Sequence, residues 1–152
     1  VGPLIDEVNA RRAEAWIEEA VRGGAQIAVG GRRRGSILEP TVLLGTRPDM
    51  RVNCEEVFAP VTTVRRYGDF EEALTILNDS PFGLQAGLFT HDISRIWRAF
   101  EVAEVGGLVV NDISSFRVDH MPYGGVKESG QGREGVRYAI EEMTELKLLI
   151  LS

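Results

Sequence analysis

The chain has 152 residues, enough for a domain with its own core. A composition of 43% apolar and 26% charged residues excludes a disordered polypeptide, and a single cysteine, Cys54, excludes a disulfide scaffold. A net charge of −6 argues against broad nucleic-acid or anionic-membrane binding, because those partners need a basic face to displace counterions.

Apolar residues at Val8, Ala13, Trp16, Ile17, Ala20 and Val21 recur with a 3.6-residue period and predict a helix that Gly23-Gly24 ends. Gln26 to Val29 then reads as a strand, and Arg32-Arg33-Arg34, set between glycines, as a solvated turn. Leu38 to Leu44, around Pro40, and Val61 to Tyr67 predict two further strands with a polar loop between them. Asp69 followed by Glu72 is a capping-box start, and Phe70, Ala73, Leu74 and Leu77 form the stripe of a helix ending near Asn78. After a turn at Pro81 and Gly83, Leu84 to Phe89 reads as a strand. Asp92 caps a helix whose Ile93, Ile96, Trp97, Phe100 and Ala103 share a face. Leu108-Val109-Val110 is the continuous apolar run of a parallel strand covered on both sides.

Alternating helices and strands predict an α/β fold, an open, mostly parallel twisted sheet with flanking helices. Asn111 to Arg133 is polar, glycine-rich and long for a plain connection, which marks it as a functional loop. A helix with Val136, Ala139, Ile140 and Met143 on one side follows. The expected organisation is one domain over 1–145 and a closing strand over 146–152. The edge of that apolar strand, Leu146 to Leu151, needs a partner, either within the chain or on another subunit. No apolar run approaches the roughly 20 residues that cross a bilayer, so no membrane role and a cytoplasmic location are expected. The first residue is Val1 rather than Met, so processing or truncation is also expected.

Three chemical readings fail on inspection. Gly130-Gln131-Gly132-Arg133-Glu134-Gly135 matches a dinucleotide-binding string, but the residues before it do not form the required buried strand. Cys54 is flanked by Glu55 and Glu56, and neither His91 nor His120 is placed as its base, so it reads as a bystander. Sparse Cys and His leave no ligand set for a structural metal.

Several motifs together point further. Glu55-Glu56-Val57-Phe58-Ala59-Pro60-Val61 resembles the E-E-x-F-G-P-V motif of the aldehyde dehydrogenase superfamily, with Ala59 where glycine is usual. Asn78 to Leu84 resembles its N-x-x-x-Y/F-G-L segment, and Pro122 to Gly135 its P-F-G-G-x-K-x-S-G-x-G-R-E-G run, with Tyr123 where phenylalanine is common. The order and spacing match along the whole chain, which resembles the C-terminal part of the catalytic domain. The resemblance implies an NAD or NADP cofactor whose nicotinamide-side ribose hydroxyls are held by Glu56 and whose ring lies near Phe58. It also implies that Asn111 and the Phe116 to Tyr123 loop line the aldehyde tunnel. The family's nucleophilic cysteine, general base and Rossmann domain lie upstream of the matched region, so this chain alone is expected to be inactive.

Phe116 to Pro122 together with Glu142 to Glu145 looks most like members acting on small polar aldehydes, the lactaldehyde, non-phosphorylating glyceraldehyde-3-phosphate and phosphonoacetaldehyde types. Arg117 is the candidate for an anionic group on the substrate, because a guanidinium binds such groups bidentately; a structural salt bridge is the other reading. In the family the last strand joins a sheet between subunits, which implies a homo-oligomer. Two functions stay open: a piece of an aldehyde-oxidising enzyme, or a non-catalytic association module with the same fold.

Overall fold

The structure is a computed structural model that describes residues 1–151. Contacts divide the chain into two compact units, Val1–Arg66 and Tyr67 onward, a boundary that composition does not mark.

In the first unit, helix α1 spans Glu7–Arg22. Asp6 caps it by accepting from Asn9 N at 2.7 Å, and Gly23 ends it with an N–H bonded back to Glu19 O. Ala10, Ala13, Ile17 and Ala20 form its buried stripe, whereas Val8 and Val21 remain exposed. Strands β1 (Gln26–Val29), β2 (Arg33–Arg34), β3 (Ile37–Leu38) and β4 (Thr41–Leu44) follow, then the short helix α2 (Arg51–Cys54) and strand β5 (Val61–Val64). The sheet order is β1-β4-β5, antiparallel at β1/β4 and parallel at β4/β5. Thr41 and Leu43 point inward from alternate positions of β4, and Leu43 packs with Ala13, Ile17, Ala20, Leu38, Met50 and Val52.

Helix α2 was not legible in the sequence. It is pinned from outside its own turn, because Arg51 pairs with Glu19 of α1. The hydrogen bond to Arg51 holds the Glu19 carboxyl below its ordinary value, and Glu19 raises Arg51 in return. The expected solvated turn at Arg32-Arg33-Arg34 is corrected at Arg33. Its guanidinium is mostly covered and bonds Glu14 at 2.5 Å and Gly35 O at 2.9 Å, tying the β2/β3 hairpin to α1.

In the second unit, helix α3 (Phe70–Asn78) is capped by Asp69, which accepts from Glu72 N at 2.9 Å. The Glu72 carboxylate reaches back to Gly68 N, one residue beyond the usual capping-box partner. Strands β6 (Phe82–Gly83) and β7 (Gln85–Leu88) precede helix α4 (Ile93–Val102), which Asp92 caps through Ser94 N and Arg95 N. Strand β8 (Gly107–Val110) runs parallel to β7, with α4 as the connection, a βαβ unit. Strand β9 (Val126–Lys127) pairs antiparallel with β6, and helix α5 (Val136–Met143) follows. The α/β class holds, with small mixed sheets flanked by helices.

On the apolar face of α4, Ile93, Trp97 and Phe100 are exposed. The helix packs on α3 and buries Ala99, the small residue that lets the two axes approach, and Arg98 forks onto Glu71 at 2.9 and 2.8 Å. Val136, Ile140 and Met143 of α5 are likewise exposed. Among the described residues Leu146 to Leu151 enters no ladder, and its large side chains are exposed.

Candidate cofactor and substrate sites

The Glu55 to Pro60 loop is held by the first unit along its length. Arg12 of α1 donates from Nη2 to Val57 O at 2.9 Å, and Pro60 O accepts from Thr41 N at 2.9 Å. Val57 and Ala59 pack against the core, and the alternating Glu56 and Phe58 are exposed. Phe58 is 80% exposed at φ 51°, a left-handed backbone that a bulky residue adopts only when its surroundings impose it. Glu56 and Phe58 line one cleft of about 720 Å³ with Ile5, Asn9, Arg12 and Pro60.

An exposed carboxylate beside an exposed aromatic ring suits a ligand that offers hydroxyl donors next to a flat ring. Arg12 was missed in the sequence, where it is one of several arginines on a helix. The fold distinguishes it by placing its guanidinium over the Trp16 ring, 4.8 Å from the centroid, and under Val57 O. Cys54 is exposed, and its Sγ contacts Asp49 O at 3.7 Å with no histidine bonded to it among the described residues.

The second unit brings Arg117 and Tyr123 together. The Arg117 guanidinium lies 4.4 Å from the Tyr123 ring centroid, and its Nη2 donates to Glu134 at 2.7 Å. Tyr123 and Glu134 form a two-way backbone bridge, N to O at 3.1 Å and O to N at 2.6 Å. Asn111 sits apart from that cluster. It extends the β7/β8 ladder through its N–H to Leu88 O, adopts φ 60°, and accepts from Thr90 N at 2.9 Å through Oδ1. Its acceptor thus ties two loops, while the side-chain nitrogen makes no hydrogen bond among the described residues.

Other motif residues hold the scaffold. Lys127, at φ 54°, donates to Asn78 O at 2.7 Å and Ser80 O at 3.1 Å and pairs with Glu104 at 2.5 Å. Asn78 closes the end of α4, donating to Val102 O at 2.7 Å and accepting from Glu104 N at 2.9 Å. Ser129 Oγ accepts from Gly83 N at 2.9 Å. Gly125 has no left-handed backbone; it is glycine because a Cβ would collide with Ser129. In the Gly130 to Gly135 string, the Glu142 carboxylate takes Arg133 N at 2.9 Å and would lie 2.7 Å from a Cβ at Gly132. The Arg133 amide is thus taken by a resident carboxylate and not left for a phosphate.

Among the described residues no cluster of three or more potential ligands could hold a metal ion, and no helix is long and apolar enough to cross a membrane. A 3-sulfolactaldehyde dehydrogenase of Priestia aryabhattai is 50% identical over 152 residues, covering all of this chain and 32% of that protein. Aldehyde dehydrogenase 21 from Physcomitrella patens, solved with the reaction product succinate, superposes with a TM-score of 0.97 at 44% identity, covering 99% of this chain and 31% of that one. The glyceraldehyde-3-phosphate dehydrogenase GapN from Methanocaldococcus jannaschii, solved with NADP, gives a TM-score of 0.91 at 42% identity, covering 97% of this chain and 32% of that one. The chain thus spans about a third of the length of the relatives it matches. With the aldehyde dehydrogenase family profile matching residues 1–149 and the motif residues arranged as described, the chain belongs to the aldehyde dehydrogenase family.

Proposed function

We propose that this chain supplies the ribose-binding and substrate-anion elements of an NAD(P)-dependent dehydrogenase that oxidises a small anionic aldehyde to its carboxylic acid. The nucleophilic cysteine, the base and the dinucleotide-binding domain belong to polypeptide outside these residues, so the chain alone is inactive. The observation that carries the reading is the Glu56–Phe58 pair, with a carboxylate and an aromatic ring turned outward into one cleft on a backbone strained at Phe58. Glu56 accepts two ribose hydroxyls, and Phe58 covers the nicotinamide and keeps water from it. The cofactor, when bound, supplies the hydride acceptor. NADP in the GapN relative supports a nicotinamide cofactor here.

The substrate class rests on Arg117. Sulfolactaldehyde and glyceraldehyde 3-phosphate, named for two of these three relatives, each carry an anion remote from the aldehyde, and succinate, the product bound in the third, carries a carboxylate besides the one that oxidation makes. Arg117 binds that anion, Tyr123 supports the guanidinium, and Asn111 contributes its free amide donors. Sulfolactaldehyde and lactaldehyde differ by the sulfonate and make a matched pair. In the full-length gene product, Arg117→Ala is expected to lower the ratio of their kcat/KM values about tenfold, the worth of one charge-assisted contact. Equal losses on both aldehydes would remove Arg117 from the substrate site.

Residues 146–152 are proposed as a self-association strand, because a partner strand would cover the leucines exposed over Leu146 to Leu151 and the backbone that enters no ladder among the described residues. Deleting them is expected to lower the oligomer mass measured by light scattering. An unchanged mass would exclude the strand from the interface.

A further inference from the structure

We infer that Glu134 is a positioning residue for substrate specificity, holding Arg117 in the orientation that receives the substrate anion; this rests on the substrate reading above. The Arg117–Glu134 pair is open to solvent, with 45% and 66% of the two side chains exposed, so it adds little to stability. Its geometry is nonetheless restrictive. The backbone bridge sets Tyr123 and Glu134 directly opposite each other, so the ring supports one face of the guanidinium while the carboxylate grips one edge.

A guanidinium carries five N–H donors in a planar fork, and Glu134 takes only Nη2. Nε and Nη1 make no hydrogen bond within the chain among the described residues, which leaves a second edge for a sulfonate, phosphate or carboxylate. An unsupported arginine loses considerable side-chain freedom on binding, and one already fixed on two sides loses less. The carboxylate also opposes an incoming anion electrostatically. Orientation and repulsion therefore predict opposite effects of removing Glu134, which makes the inference testable.

The test is steady-state kinetics on the full-length gene product with sulfolactaldehyde and lactaldehyde. Glu134→Ala is expected to raise KM for sulfolactaldehyde about fivefold, with a much smaller change for lactaldehyde, and Glu134→Gln, which keeps a neutral acceptor, to recover part of that loss. The Arg117→Ala/Glu134→Ala double variant is expected to match Arg117→Ala alone, because Glu134 acts only through Arg117. A lower KM for sulfolactaldehyde in Glu134→Ala overturns the inference in favour of repulsion, and equal losses on both aldehydes overturn it in favour of a purely structural role. A selective Arg117→Ala with an unselective Glu134→Ala removes the positioning role and keeps the substrate reading, whereas an unselective Arg117→Ala removes both. If Glu134→Ala does not fold, the same comparison is made with Glu134→Gln, whose backbone bridge to Tyr123 needs no side chain.

Discussion

Glu56→Ala is expected to raise the KM for the nicotinamide cofactor about a hundredfold in the full-length gene product. A carboxylate that accepts two hydroxyls makes two charge-assisted hydrogen bonds, each worth about 1.5 to 3 kcal/mol. Glu56 is exposed at the cleft and makes no hydrogen bond within the chain among the described residues, so its removal leaves no buried group unpaired. The effect belongs to binding rather than folding. Cofactor titration followed by intrinsic fluorescence, beside a urea melt, checks both halves. An unchanged cofactor affinity would dissociate the Glu56–Phe58 cleft from the cofactor, and a large drop in stability would make Glu56 a structural residue.

Lys127→Met is expected to lower stability by about 1.5 to 3 kcal/mol, read as a lower urea midpoint of the chain. The Lys127 amino group closes the C-terminal end of α3 by donating to Asn78 O and Ser80 O, and it pairs with Glu104 just beyond α4. Its charge also suits the negative end of the α3 dipole. Methionine keeps much of the stem but removes all three donors, leaving half-covered carbonyls to water and Glu104 without its cation. A midpoint within error of the parent would show that those contacts contribute nothing net.

That network explains why the glycine-rich stretch looked functional while much of it builds the frame. Between Asn111 and Arg133 the sequence signal was length and composition, which cannot separate a ligand-contacting loop from one whose polar groups are consumed internally. Tertiary contacts make the separation. Lys127, Ser129 and Arg133 spend their polar groups on the scaffold, whereas Arg117 keeps one edge free. The proposed cofactor pair was legible only through motif resemblance, because an isolated Glu and Phe two residues apart have no local signature of their own.

What the sequence determined by itself was local. Asp69 and Asp92 start their helices because a short carboxylate reaches the first free N–H groups, and Gly23 stops α1. Gln26–Val29 forms a strand at the bounds its composition predicts, and the alternation of elements yields the α/β class. The tertiary structure alone decided which apolar stripe is buried. Periodicity shows that α4 has an apolar face, but a face is buried only where a partner surface stands, and α3 receives Ala99 rather than Trp97 and Phe100. It also decided the partners of the long cations, Arg12 on Val57 O, Arg33 on Glu14 and Lys127 on Asn78 O, because these hydrogen bonds join residues 19 to 49 positions apart and no local pattern encodes them.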